Sequence, residues 1–216
     1  QGVDIINCSW GYFKKTKVLQ EAIEYAIQHD VIVIASVGNY ASAVNIYPAS
    51  FEGVIGVGSV SMQQTRSEFS SFGNSLDFMA YGESLFSTLP NDGYGYRSGT
   101  SQSTALLTGI VSKLLSYEPA HTTSDIESIL VQSSMNPVTK TKAQGYGVIN
   151  PHAVLAGYNQ SASVVLDAMN SSIDDTSLAS DFMNFPNPVT TGQTTFGFMP
   201  LEENLSATIY IFNTSG

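Results

Sequence analysis

Gly99-Thr100-Ser101-Gln102-Ser103 stands directly before a strongly apolar stretch from Thr104 to Tyr117. That stretch carries Ala105, Leu106, Leu107, Ile110, Val111, Leu114 and Leu115 nearly all round a helical wheel, which predicts a buried helix. A serine at the N-terminus of a helix sits among backbone N–H groups that have no intrahelical partner. Those groups stabilise negative charge as it develops, so a nucleophilic Ser101 would have an oxyanion donor beside it. The same position also suits a plain N-capping serine. Gly38-Asn39 is the second candidate, just past the β-branched run Val31-Ile32-Val33-Ile34-Ala35. Sites in α/β sheets form at the carboxyl ends of the strands. An Asn39 amide there can complete an oxyanion hole with the Ser101 N–H, or simply end the strand in a turn.

The elements that must position these residues follow the chain. Val3 to Cys8 is a short apolar run ended by Ser9-Trp10-Gly11. Residues 17–29 place Val18, Ala22, Tyr25 and Ala26 near helical spacing, with Ile23 and Ile27 widening the face. With the Val31–Ala35 run they make a right-handed βαβ unit. Val54 to Gly58 is a further strand, and residues 61–98 read as short strands and loops. Ser124 is a candidate N-cap with Glu127 at the capping-box position, and Pro151 opens a short helix to Gly157. The pattern is α/β, with a doubly wound, mostly parallel sheet buried on both faces.

Among 216 residues, 43% are hydrophobic and 12% charged, with a net charge of −10. That length buries a core without disulfide staples. The acidic balance argues against nucleic acid and anionic membrane surfaces as partners. The single cysteine, Cys8, excludes an internal disulfide and Cys-based zinc sites, and its apolar neighbours predict a buried small hydrophobe. No apolar run reaches the roughly 18 residues of a membrane span.

The composition changes after Gly157. Residues 1–157 form one unit, 158–182 read as a Ser-, Asn- and Asp-rich linker, and 183–216 as a second unit. In the last, Thr194–Phe198 and Ala207–Phe212 alternate with period two, as half-buried antiparallel strands do. Residues 3–8 already read as a core strand with no lead-in, and the other end stops at Asn213-Thr214-Ser215-Gly216, a turn inside a β-pattern, so a piece of a longer protein is expected.

Several segments in order resemble the subtilisin family of serine proteases. They are Val31 to Asn39, Ile46-Tyr47-Pro48-Ala49 with Val54 to Gly58, Phe69-Ser70-Ser71-Phe72-Gly73, Leu76 to Gly82, Gly99-Thr100-Ser101, and Gly145 to Asn150. The resemblance covers residues 1–157, the C-terminal half of such a catalytic domain. It implies that Ser101 is the acylated nucleophile and that Asn39 donates its side-chain amide to the oxyanion. It implies that Ser9, Trp10 and Gly11 pair with the substrate backbone, and that Ser36, Val37 and Gly38 form the opposite wall of the P1 pocket. It makes protein or peptide the substrate and calcium a possible ligand, while the residues themselves point to no cofactor. The family follows its nucleophile with Met, Ala and a later proline; here Gln102, Ser103, Thr104 and Ala105 follow. Ser103 therefore adds a hydroxyl that needs a partner.

The family's Asp and His precede its oxyanion asparagine. Here His29, His121 and His152 stand at a helix end, in a turn and in the last helix, so the expectation is a fragment lacking both the Asp and the His of the triad and inactive alone. A pseudoprotease or peptide-binding module is the alternative. A third reading is an α/β-hydrolase esterase using Ser101, Asp125 and His152, but that fold needs a Gly-x-Ser-x-Gly elbow and position 103 is Ser. Phe185-Pro186-Asn187-Pro188 through Gly216 resembles the start of a C-terminal sorting domain of the type IX secretion system, a small β-sandwich, here truncated. That implies secretion machinery as a partner and a secreted or cell-surface location.

Overall fold

The computed structural model describes residues 2–135 and 139–156. The expected linker over 158–182 and the β-sandwich over 183–216 lie outside them. Four parallel strands, β1 (Ile5–Cys8), β2 (Ile32–Ser36), β3 (Val54–Val60) and β4 (Phe78–Tyr81), form one sheet in that order. Cys8 pairs with Ala35, and Ser36 with Val57, so β1 and β2 end side by side while β3 runs on to Val60. A two-stranded antiparallel hairpin, β5 (Leu85–Leu89) and β6 (Gly93–Arg97), follows.

Helices cover both faces, as the continuous apolar strands require. Along β2, Val33 and Ala35 pack on the side of helix α1 (Lys17–Gln28), whereas Ile32 and Ile34 pack under α2 (Thr100–Tyr117). The same alternation puts Ile55, Val57, Phe78 and Ala80 beneath α2, with Met79 on the other side. Leu107, Val111 and Leu114 of α2 are fully buried against that face, each contributing roughly 1.5–3 kcal/mol by leaving water. Helices α3 (Thr123–Ser133) and α4 (Pro151–Leu155) add Ile126, Leu130 and Val154 to this layer.

Three local expectations change. The buried face of α1 is Ile23 and Ala26, flanked by Leu19 and Ile27, while Val18, Ala22 and Tyr25 are exposed. Both sets have helical spacing, and only the sheet's position chooses between them. Helix α2 begins at Thr100, four residues before the apolar stretch, and leaves Ala105 and Leu106 on an exposed side. Helix α3 is capped by Thr122, not Ser124. The Thr122 hydroxyl accepts the Asp125 N–H, and the Asp125 carboxylate accepts the Thr122 N–H, so Glu127 is not the capping-box residue.

Candidate active site

The carboxyl ends of β1 and β2 and the first turn of α2 meet at one edge of the sheet. Ser9 follows β1 directly, Val37-Gly38-Asn39 follow β2, and Ser101 is the second residue of α2. Gly99 is the N-cap of α2 and offers no side chain to it. The cap comes instead from Asn39, whose Oδ1 accepts both the Thr100 N–H and the Thr100 hydroxyl at 2.9 Å. Only an oxygen can face that N–H, so the amide is oriented with Nδ2 as its remaining donor end. Nδ2 lies beside Gly99, where an added Cβ would come within 3.3 Å of it. Asn39 is exposed, and Ser101 half-buried.

Ser101 is not an N-cap. Its hydroxyl donates to the Ser9 carbonyl at 3.1 Å, and the Ser9 hydroxyl donates to the Ser101 carbonyl at 2.9 Å. Behind Ser9, the buried Asn7 donates from Nδ2 to Ser9 Oγ and accepts at Oδ1 from Thr108 Oγ1, two turns along α2. The Thr108 hydroxyl also lies 2.9 Å from the Thr104 carbonyl. This chain of hydrogen bonds clamps the end of β1 onto the start of α2.

A second set of bonds holds the Asn39 loop. The Gly38 carbonyl accepts the Ser71 N–H, and Ser71 Oγ accepts the Tyr40 N–H, so one fully buried serine brackets Asn39. Ser70 beside it accepts the Ser59 N–H from β3. Val37 is fully buried, with its N–H on the Val57 carbonyl, and Ser36 ends β2 at 4% exposure. Gly38 adopts φ +98, a left-handed conformation that suits glycine. Trp10 packs its ring against the core on the α1 side, and Gly11 is exposed.

All eight residues singled out in the sequence thus come to this edge. The sequence reading missed Asn7, Thr108 and Ser71. Asn7 carried a signal, as a polar residue inside an apolar strand. Thr104 and Thr108, four apart on α2, carried another. Ser71 carried one only as part of the Phe69-Ser70-Ser71-Phe72-Gly73 segment, with no role attached to it.

The histidines lie elsewhere: His29 closes α1 with Nδ1 on the Tyr25 carbonyl, and His152 is exposed on α4. Asp125 is committed to its capping box at the exposed start of α3. A hydrolase centre built from Ser101, Asp125 and His152 is therefore not formed. The Cys8 thiol, buried beside Ser9, is pushed up to about 12 by desolvation, so it stays protonated. Among the described residues no three His, Cys, Asp or Glu side chains converge as metal ligands. The half-buried Asp77 carboxylate holds the Lys140 ammonium.

The family model of the subtilases matches residues 1–147. The chain belongs to that family. Subtilisin DY of Bacillus licheniformis is 33% identical over 156 residues, which is 70% of this chain and 57% of that protein. The major intracellular serine protease of Bacillus subtilis strain 168 is 38% identical over 123 residues, 55% of this chain and 39% of its own length. The chain therefore spans only about half the length of these relatives. The self-cleaved protease domain of PatA matches the fold with a TM-score of 0.66 at 25% identity, over 73% of this chain and 64% of that one. The subtilase fold excludes the α/β-hydrolase reading. No helix among the described residues is long and apolar enough to cross a membrane.

Proposed function

We propose that this subtilase chain carries the nucleophile and oxyanion hole of a serine endopeptidase. The observation that supports it most is the placement of Ser101 in the first turn of α2, with Asn39 fixed against Thr100 by two hydrogen bonds. A peptide lies along Ser9-Trp10-Gly11 as an added strand, using main-chain bonds. Ser101 Oγ leaves the Ser9 carbonyl, gives its proton to a histidine, and forms a bond to the scissile carbonyl carbon. The carbonyl oxygen becomes an oxyanion and accepts from Asn39 Nδ2 and the Ser101 N–H. Collapse expels the amine, protonated by the same histidine, and leaves an acyl group on Ser101 that water removes.

The described hydrogen bond of Ser101 Oγ goes to Ser9, not to a histidine, which supports a base and aspartate supplied from outside residues 1–156. The 216-residue chain alone should then react slowly with a fluorophosphonate, and the full-length protein quickly, at Ser101 in both. Ser101→Ala in the full-length protein should abolish labelling and peptide hydrolysis. A full-length protein that binds peptides but neither hydrolyses them nor labels would support the pseudoprotease reading instead.

For residues 183–216, the motif from Phe185-Pro186-Asn187-Pro188 onward supports a type IX sorting signal and export to the cell surface or medium. Deleting 183–216 from the full-length protein should then trap it inside a host with that secretion system, and unimpaired export would overturn the assignment.

A further inference from the structure

Ile46 stands between the two segments assigned above as the walls of the P1 pocket. A Cβ on Gly11 would overlap Ile46 Cγ2, and a Cβ on Gly38 would come within 3.1 Å of Ile46 Cγ1. Both glycines therefore face one side chain, which reaches from wall to wall. We propose that Ile46 fills the far end of the P1 pocket and confines the enzyme to peptides with a small, uncharged residue at P1: glycine, alanine or serine. The proposal rests on the protease reading and on those wall assignments.

Four further observations support it. Tyr12 and Tyr47 exchange both backbone hydrogen bonds at 2.8 Å. That antiparallel bridge ties the residue after Gly11 to the residue after Ile46, so the Ile46 main chain cannot draw back without breaking it. Ile46 itself is 2% exposed, and a β-branched side chain is stiff about χ1, so it does not swing aside for a larger guest. On the Gly38 side the Tyr40 ring also lies 3.1 Å from an added Cβ and is backed by Phe13 at 4.7 Å between ring centroids. A Phe or Leu at P1 would need space that Ile46 occupies, and well-packed interiors resist such overpacking. Ser9-Trp10-Gly11, Ser36-Val37-Gly38 and Ile46 include no charged residue, so a P1 Lys or Arg finds no counter-ion among them.

The test uses the full-length protein and peptide p-nitroanilides that differ only at P1, with Ala, Leu, Phe or Lys. We expect kcat/KM for P1 Ala to exceed that for P1 Phe at least tenfold, the order expected where a hydrophobic pocket discriminates by size. Ile46→Ala should shrink the Ala-to-Phe ratio at least tenfold. Cleavage of the Phe peptide as fast as the Ala peptide by the unaltered protein would overturn the pocket proposal and leave the protease reading intact. An unchanged ratio in a folded Ile46→Ala protein would do the same. Should that variant not fold, the milder Ile46→Val is expected to narrow the Ala-to-Leu ratio, and a ratio left where it was counts against the proposal. Cleavage of none of the four peptides would overturn the protease reading and this inference together.

Discussion

Ser9 and Ser101, 92 residues apart, hold each other through two hydrogen bonds in which each hydroxyl donates to the other's backbone carbonyl. The two bonds differ in consequence. The one from Ser9 Oγ to the Ser101 carbonyl fixes the main chain of the first α2 turn. The one from Ser101 Oγ must break for that hydroxyl to reach a substrate. Asn7 keeps the first in place by donating to Ser9 Oγ, and Thr108 orients Asn7.

Thr108→Val keeps the shape of the side chain and removes its hydroxyl. It leaves Asn7 Oδ1 buried without its donor, which should cost about 1–3 kcal/mol of stability. Thr108→Ser should recover most of that loss. Urea denaturation of the full-length protein measures both, and a Val variant as stable as the parent would show that the clamp is dispensable.

Asn39 has two jobs that substitutions separate. Asn39→Asp retains an acceptor for Thr100 and loses the amide donor, while Asn39→Leu loses both. Each should lower kcat with little change in KM, because the donor meets the oxygen only once it is charged. The expected size, roughly 10²–10³-fold, is the one known for such a donor in subtilisin itself. Only the Leu variant should also lose stability. Parental kcat in either folded variant would remove Asn39 from the oxyanion hole.

Ser103 Oγ is fully buried, without a hydrogen-bond partner, beside Gly82, where a Cβ would overlap both Ser103 Oγ and Ser59 Oγ. Replacing it with alanine removes an unsatisfied polar group from a tight site. Ser103→Ala should therefore raise stability by about 1 kcal/mol. A lower midpoint in thermal unfolding would mean that the hydroxyl has a partner after all.

Burial raises the Asp77 carboxyl above the ordinary carboxylate range, against the opposing pull of Lys140 and the Gly56 N–H. The folded chain then binds that proton more tightly than the unfolded one, so stability from this group falls as pH rises through the raised value. Glu127, raised mainly by burial and next by Asp77, acts with the same sign. Between pH 7 and about 4, the usual carboxylate value, acidification should favour the fold at these two sites. Asp77→Asn, which can still accept the Gly56 N–H, should flatten that dependence. Denaturation midpoints across the window measure it, and identical slopes for parent and variant would contradict the burial effect.

The nearly continuous apolar runs at Val31–Ala35 and Val54–Gly58 and the helical stretch after Ser101 were enough to predict a parallel sheet covered on both faces. They also placed Ser101 and Asn39 at its carboxyl edge, because strand ends, helix starts and turn residues are local properties written in order. Those same local signals could not say which of two equally spaced faces α1 buries, since Leu19–Ile23–Ala26 and Val18–Ala22–Tyr25 differ only in where the sheet lies. Nor could they start α2 at Thr100, because the Thr100 N–H is satisfied by Asn39, 61 residues away. The exchange between Ser9 and Ser101, the brace from Asn7 to Thr108, and Ile46 between Gly11 and Gly38 join residues distant in sequence. Such contacts depend on how neighbouring strands align in register, and that alignment exists only once the sheet has assembled.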